Sequence, residues 1–163
     1  MSNYITSNFS NLIFSCSVPS QWHMEHRVPD HCVVFVRQGK LLISDKGRTE
    51  EIPAGSCVFL KKDCSVRLVK ASFAGKNYEG LNIRLPQNIL EDYFQRHLKN
   101  NEFPQDFTGL SNCFMRLNRT LCLQGLLSSI ILFVEEGQDP GQEMTELKVE
   151  ELILDLLQTD IRF

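Results

Sequence analysis

The first half of the chain alternates short apolar runs with turn-forming residues, which is the pattern of β-strands. The runs are rich in β-branched and aromatic side chains, and Gly, Pro, Asp and Lys separate them. Many short strands at this spacing favour a barrel or a jelly roll, because those architectures leave few unpaired strand edges. The predicted strands cover residues 12–16, 32–37, 40–44, 49–52, 56–60, 65–70 and 78–84.

Two glycine-containing turns are predicted between these strands. Gln38–Gly39 would close a first hairpin between the strands at 32–37 and 40–44. Asp45–Gly47 would close the next turn, where Gly47 takes a positive φ at no steric cost.

The composition changes after the last predicted strand, and helical periodicity replaces the strand pattern. Residues 87–98 have the spacing of a first helix. A second helix at 117–134 is so apolar that we expect it to be largely buried. Asn, Pro and Gly predict a loop at 100–109. The last helix is predicted at 145–158, with Thr145 as its N-cap.

The last helix carries more apolar residues than contact with a single core requires. Leu147, Leu154 and Ile161 form a seam beside the core stripe, with Glu151 and Gln158 at its rim. The seam predicts either a homodimer contact or a groove of the same domain that buries the helix on both sides. Burying three such side chains contributes about 1.5–3 kcal/mol each, which leaves only a weak dimer after the entropy of association is subtracted. The core stripe consists of Val149, Leu152, Ile153, Leu156 and Leu157.

Length, composition and charge exclude several classes of protein. With 163 residues and 42% hydrophobic side chains, the chain fits one globular domain with a real core. A net charge of −3 is the wrong sign for a surface that neutralises phosphates, so we expect these residues not to bind nucleic acid themselves. The N-terminus has no secretory signal, and no charge-free stretch reaches membrane-spanning length. The sequence therefore predicts a cytoplasmic protein without a membrane partner.

The 6 cysteines show no C-x-x-C pair, and most of them lie inside apolar runs. Such cysteines usually act as small buried hydrophobes. Because a chain without a secretory signal is expected in a reducing cytoplasm, we predict free thiols rather than structural disulfides. The cysteines are Cys16, Cys32, Cys57, Cys64, Cys113 and Cys122.

The segment from Gly47 through Pro53 to Gly55 fits the pattern G-x5-P-x-G of the second cupin motif. In that motif the Pro and Gly turn the chain between two barrel strands. A metal-binding cupin then presents a histidine three residues after the last glycine, and here that position is Val58. An ordinary Gly/Pro turn in another β fold is the alternative interpretation.

Three histidines lie close together in the sequence, at His23, His26 and His31, and with Glu25 they would be able to ligate zinc or iron. A small metal-dependent cupin enzyme, an isomerase or dioxygenase, is therefore one alternative function, and a barrel regulated only by a protein partner is another. Metal enzymes of this fold draw ligands from two neighbouring strands, however, and here the second strand offers none. The chain also lacks nucleophile, phosphate-loop and dinucleotide motifs. We expect no catalytic residues, no metal, no cofactor and no enzymatic activity.

Three segments together resemble the N-terminal regulatory domain of AraC-type transcription regulators. The strand V-V-F-V-R-Q-G-K-L-L-I at 33–43 leads into a turn and the strand at 52–60. The signature L-K-x-E-E-L at 147–152 is more specific and is similar to the ExsA-like branch. The resemblance covers nearly the whole chain. The expected fold is α+β, with a cupin-like antiparallel β-barrel (jelly roll) at 1–85 and about three helices at 86–163, in one regulatory domain.

The resemblance also implies a function. In such a regulator the barrel receives a small-molecule effector or a regulatory protein, the C-terminal helix forms a homodimer, and a pair of helix-turn-helix units binds DNA. Those units are expected shortly after Phe163, so DNA would be contacted only by a domain that this chain does not contain. The sequence shows no obvious polar set for a sugar, and the ligand-binding residues stay open. For the dimer contact, the resemblance points to the seam at Leu147 and its neighbours.

Overall fold

The computed structural model of the protein describes residues 5–97 and 112–159. The loop predicted at 100–109 and the seam residue Ile161 lie outside these residues. The strands are β1 (Ile5–Phe9), β2 (Ile13–Val18), β3 (Trp22–Arg27), β4 (His31–Gln38), β5 (Lys40–Asp45), β6 (Arg48–Pro53), β7 (Cys57–Leu60), β8 (Ser65–Ala71), β9 (Tyr78–Leu85) and β10 (Phe114–Leu117). The helices are α1 (Gln87–His97), α2 (Leu121–Glu136) and α3 (Gln142–Gln158).

The strands pair antiparallel in two sheets. One sheet has 6 strands in the order β1-β2-β9-β4-β7-β10, and the other has 4 in the order β3-β8-β5-β6. Side chains from both sheets meet in one shared interior. The protein is therefore a barrel-like antiparallel β-sandwich with C-terminal helices, which confirms the predicted fold class.

The interior between the two sheets is filled with apolar side chains. Val34 and Val58 from the six-stranded sheet belong to the same buried cluster as Leu41, Ile43 and Leu68 from the four-stranded sheet. Side chains of this kind pack as densely as an organic crystal and exclude water. At the position where a metal-binding cupin has its histidine, Val58 is fully buried in this cluster.

The opposite face of the six-stranded sheet packs against the helices. Phe59 and Ile83 on the sheet share a second buried cluster with Leu126 of α2 and Val149 and Leu152 of α3. Because β4 and β7 are buried on both faces, they contain continuous apolar runs rather than an alternating pattern. The six-stranded sheet thus separates the barrel interior from a helical layer.

The two predicted turns have different outcomes. At the β5–β6 hairpin, Lys46 and Gly47 have φ values of 48° and 81°. A two-residue type I′ turn requires a positive φ at both central residues, so this turn is confirmed. The hairpin predicted at Gln38–Gly39 is wrong. Strands β4 and β5 belong to different sheets and do not pair. Gly39, with φ 73°, instead carries the chain from one sheet to the other.

Three of the described strands, β1, β3 and β10, were not predicted from the sequence. Strand β3 is polar on one face and only partly buried on the other, because it lies at an edge of the four-stranded sheet. Its Glu25 stands opposite Arg67 of β8, and the side chains form an ion pair at 2.8 Å. Such cross-strand pairs replace the apolar alternation that identifies a strand in a sequence.

Local signals at the helix ends fix the α2–α3 hairpin. The side chain of Thr120 accepts a hydrogen bond from the backbone N–H of Leu123 at the start of α2. Gly137 ends α2 in the left-handed conformation with φ 63°. Helix α3 begins at Gln142, so Thr145 is not its N-cap as predicted. Thr145 is buried inside the first turn, where its hydroxyl donates to the Gly141 carbonyl at 2.8 Å.

Candidate dimerisation surface

The outward face of α3 carries a row of apolar side chains. Leu147 is 57% exposed, Leu154 is 47% exposed and Met144 is 41% exposed. Glu151 and Gln158 are exposed on the same face. At about 100° per residue these five positions form one stripe along the helix. We call these five residues the α3 stripe; Met144 is the member that the sequence analysis did not identify, because it lies before the predicted N-cap.

The core stripe of α3 faces the opposite way. Val149, Leu152, Ile153 and Leu156 are buried, and Leu157 is partly buried. They pack into the helical layer against the six-stranded sheet. Since the core stripe already anchors the helix, the apolar residues of the α3 stripe are not needed to hold α3 on its own domain.

Ion pairs help to set the orientation of the helical hairpin. Arg37 of β4 pairs with Glu135 of α2 at 2.8 Å and with Glu79 of β9 at 3.8 Å. Arg96 of α1 pairs with Glu150 of α3. Pairs of this kind contribute little stability each, typically about 0–1 kcal/mol. Together with the core contacts, they determine which side of the hairpin faces solvent.

Helix α2 is less buried than its composition predicts. Leu123, Leu126 and Leu127 are buried, but Leu132 is 60% exposed and Leu121 is 85% exposed. The expectation of a largely buried second helix is therefore wrong for its outer face. An apolar residue on a solvent-facing helix is ordinary when single, but here two helices of one hairpin both expose leucines.

Asp155 is a charged residue of α3 that the sequence analysis did not single out. It is buried beside the α3 stripe, and its Oδ2 has no hydrogen-bond partner within the described residues. Burial first, and then the negative charge of Glu151, raise the pKa of Asp155 above its usual range. The folded state disfavours the ionised carboxylate. The free energy of unfolding therefore falls as the pH rises from the ordinary pKa of an aspartate to the raised pKa of Asp155.

A surface groove is a candidate ligand site on the barrel side of the described residues. An open groove of about 580 Å³ crosses the end of the four-stranded sheet near the β5–β6 turn. Its lining is mostly charged or polar and includes Glu25, Arg27, Asp45, Lys46 and Arg67. Sites for small organic ligands are usually concave and mainly apolar, so this groove does not resemble one.

The three histidines do not converge. His23 is exposed on β3, and His26 points to the other face of that strand. His31 begins β4, where its Nδ1 accepts a hydrogen bond from the backbone N–H of Lys62 at 3.0 Å and its ring stacks on Phe59. Among residues 5–97 and 112–159, no group of at least three His, Cys, Asp or Glu side chains is arranged to hold a metal ion.

Protonation of His31 should destabilise the fold in mildly acidic solution. Burial first, and then the positive charges of Lys62 and Lys61, lower the pKa of His31 from 6.5 to about 4. The unfolded chain keeps the ordinary pKa, so it binds more protons than the folded chain between these values. The contribution of the neutral ring is complete above pH 6.5 and is lost as the pH falls toward 4. From pH 7 to pH 5 we expect a loss of about 1–2 kcal/mol, allowing for partial exposure.

The variant His31→Asn isolates this effect. Its side-chain oxygen still accepts from the Lys62 N–H, but it cannot be protonated in this range. Urea unfolding at both pH values should show a smaller loss of the free energy of unfolding in the variant than in the wild type. Equal losses in the two proteins would contradict the assignment.

The cysteines fall into two groups. Cys64 and Cys113 form a disulfide, with their Cα atoms 5.5 Å apart, so the prediction of free thiols is wrong for this pair. Cys32 and Cys57 are free and buried, as predicted. Burial raises the pKa of both thiols to about 12, which keeps them protonated and unreactive at neutral pH.

The described residues thus form an antiparallel β-sandwich with an apolar interior, and the helical hairpin packed on it exposes leucines on its outer face. Residues 31–162 match the sequence model of the ExsA N-terminal regulatory domain. The protein therefore belongs to this family, the regulatory domain of AraC-type transcription regulators. No curated protein matches the sequence.

Solved structures of ToxT from Vibrio cholerae are similar to this chain in fold. An apo form of a ToxT variant from strain SCE256 gives a TM-score of 0.63 at 12% identity, covering 94% of this chain and 58% of that chain. Wild-type ToxT with a bound unsaturated fatty acid gives 0.60 at 13% identity, covering 91% of this chain and 52% of that chain. This chain thus spans only part of the length of those proteins. None of the described helices is long and apolar enough to cross a membrane.

Proposed function

We propose that this domain pairs two copies of an AraC-type transcription regulator through the α3 stripe and transmits the state of an effector to that pairing. The supporting observation is that Leu147 and Leu154 are about half exposed while the core stripe of the same helix is buried. A second copy that placed its own α3 stripe against this one would cover both rows of leucines. Such a symmetric contact is the commonest form of homodimer.

The proposed mechanism is mechanical and does not involve catalysis. Each subunit would contribute a helix-turn-helix domain beyond Phe163, and the dimer would hold the two on adjacent DNA half-sites. Linking two binding modules raises the effective concentration of the second and increases the overall affinity by about 10²–10⁴-fold. The net charge of −3 agrees with DNA contact by the separate domain rather than by this one. A regulator that acts in this way works in the cytoplasm.

The effector of this mechanism would act on the outside of the barrel rather than within it. The filled interior, with Val58 and Leu41 fully buried, supports this inference. A regulatory protein or a small molecule at the helical flank would then change the presentation of α3. One structure of ToxT, part of which is similar to this chain in fold, holds an unsaturated fatty acid, and this supports a small molecule as the effector.

A fusion experiment tests the pairing function. The 163-residue chain is joined through its C-terminus to a monomeric helix-turn-helix domain of known half-site. We expect the fusion to bind two adjacent half-sites about 100-fold more tightly than one half-site, because the paired modules gain effective concentration. Titration of labelled DNA, monitored by fluorescence anisotropy at constant salt, measures the ratio.

The unfused helix-turn-helix domain is the control and should show only the additive effect of two independent sites. A fusion that behaves like this control would overturn the proposed function. Placing the half-sites half a helical turn out of phase should also remove the gain, since the two domains would then face opposite sides of the duplex.

A further inference from the structure

We infer that Cys64 and Cys113 form a reversible redox switch whose disulfide holds the start of β10, and the chain that enters α2, against the barrel. Cys64 lies in the turn between β7 and β8, and Cys113 directly precedes β10. Their Cα atoms are 5.5 Å apart, within the range that a disulfide spans without backbone movement. Both residues are half-buried.

The disulfide lies where the barrel is joined to the helical hairpin. β10 is an edge strand of the six-stranded sheet and pairs only with β7 among the described strands. The backbone N–H of Lys61 donates to the carbonyl of Cys113 at 2.8 Å, next to the pair Phe114–Leu60. Thr120, the N-cap of α2, follows β10 closely. The covalent bond therefore reinforces the short ladder by which this edge strand pairs with the barrel.

The position of Phe114 shows what the bond protects. Its side chain is buried in the cluster between the two sheets, and the Arg48 guanidinium of β6 lies over its ring at 5.1 Å. When β10 leaves the edge of the sheet, this side chain leaves the barrel interior. Loss of the disulfide thus makes exposure of a core residue easier, and a change at the barrel edge reaches the start of α2.

Oxidation of the pair is an ordinary thiol–disulfide exchange with a disulfide of a low-molecular-mass thiol, such as oxidised glutathione. The thiolate of one cysteine attacks the oxidant, whose S–S bond breaks, so that a mixed disulfide forms and one thiol molecule leaves. The second cysteine thiolate attacks the mixed disulfide, forms the Cys64–Cys113 bond and releases a second thiol molecule. Two electrons pass to the oxidant, and the two cysteine protons end on the released thiols.

Reversibility follows from the environment in which the domain works, and this step rests on the proposed function. A transcription regulator works in the cytoplasm, where glutathione and thioredoxin keep thiols reduced and disulfides are usually transient and redox-sensing. In that environment, Cys64 and Cys113 form their disulfide when the oxidised fraction of glutathione rises, and they return to thiols when it falls. The buried Cys32 and Cys57 do not respond, because their thiols stay protonated.

Redox titration of the 163-residue chain tests the switch. The protein is equilibrated in glutathione buffers of increasing oxidised fraction, alkylated without denaturant and read by peptide mass spectrometry. As the oxidised fraction of glutathione increases, we expect alkylation of Cys64 and of Cys113 to decrease together. The two peptides that contain them should then appear as one disulfide-linked pair. Two thiols that stay alkylated at every ratio, or a bond that survives fully reduced glutathione, would each overturn the inference.

The mechanical effect is measured by hydrogen exchange and thermal unfolding of the oxidised and reduced chain. Oxidation closes a loop with a sequence separation of 49, for which we expect a rise in Tm of about 5–10 °C. Amide exchange at 114–117 should slow by about tenfold when oxidised, because β10 is then held at both its ladder and its start. Identical exchange of β10 in both states would refute the clamp, even if the bond forms.

Two variants complete the design. In Cys64→Ser with Cys113→Ser, the Tm should match that of the reduced wild type and should not respond to reductant. Cys122→Ser removes an exposed thiol elsewhere and should keep the full response. If the double variant does not fold, the reduced wild type serves as the same comparison. Alkylation and hydrogen exchange are measured on each chain and do not require a dimer. If the chain is found to be monomeric, the proposed dimer is rejected, but the results on the disulfide still stand.

Discussion

Replacement of Leu147 and Leu154 together by aspartate should abolish the proposed dimer and leave a folded monomer. Each leucine is about half exposed in the single subunit, at 57% and 47%, so a symmetric dimer would bury the remaining half of four leucines. At roughly 1 kcal/mol for each, the lost burial is about 4 kcal/mol, and the dissociation constant rises at least about 1,000-fold. Sedimentation velocity over a range of concentrations measures the change, and circular dichroism checks that the variant is folded.

A matched control separates the α3 stripe from general surface hydrophobicity. Phe73 is 58% exposed, nearly the same as Leu147, but it lies between β8 and β9 on the barrel rather than on the helices. Phe73→Asp should therefore leave the dissociation constant unchanged. If the double leucine variant remains dimeric at wild-type concentrations, or if Phe73→Asp alone dissociates the dimer, the assignment of the interface is wrong.

Helical periodicity alone was enough to predict the two faces of α3, because the geometry of a helix is local. The core stripe at Val149, Leu152 and Ile153 is buried, and Leu147 and Leu154 are exposed, as the spacing indicated. Whether a partner covers the exposed face is not encoded in that spacing and stays a proposal. Met144 was missed for a simple reason: the N-cap was assigned to Thr145, whereas the helix begins at Gln142.

The β-strands were predictable where burial is strong and not where strands lie at sheet edges. Runs such as the one in β4 combine β-branched residues with burial on both faces, and they were found within a residue or two of their bounds. Strand β3 was missed since its partners supply charge pairing rather than apolar contacts. The order of strands within the sheets arises from contacts between distant segments, which no local pattern reports.

The same limit explains the disulfide. Cys64 and Cys113 have a sequence separation of 49, and only the pairing of β10 with β7 brings them together. Neither the C-x-x-C rule nor the apolar character of the surrounding residues contains that information. The family, in contrast, was predictable from the segment at 147–152, and the match over residues 31–162 confirms it.

Gly39→Ala should be among the most destabilising single changes at the barrel. Gly39 has φ 73°, and an added Cβ would lie 2.5 Å from the carbonyl oxygen of Ala71 and 2.8 Å from the Cα of Tyr78. Both neighbours are backbone atoms of adjoining strands, which cannot move without breaking the crossing between the sheets. Left-handed strain of about 1 kcal/mol and overpacking of about 1–3 kcal/mol give an expected loss of about 2–4 kcal/mol. Urea unfolding of the reduced protein measures it.

Gly47→Ala is the matched control, because Gly47 has the same handedness with φ 81° but nothing within 4 Å of an added Cβ. An alanine at this position has the strain of a left-handed backbone, but its Cβ does not clash with a neighbouring atom. We expect the free energy of unfolding to fall by about 1 kcal/mol. The difference between the two variants therefore measures the steric part at Gly39 alone. Equal losses would show that the chain between β4 and β5 relaxes freely, and that the close approach of the Tyr78 and Ala71 backbones does not fix how the two sheets are joined.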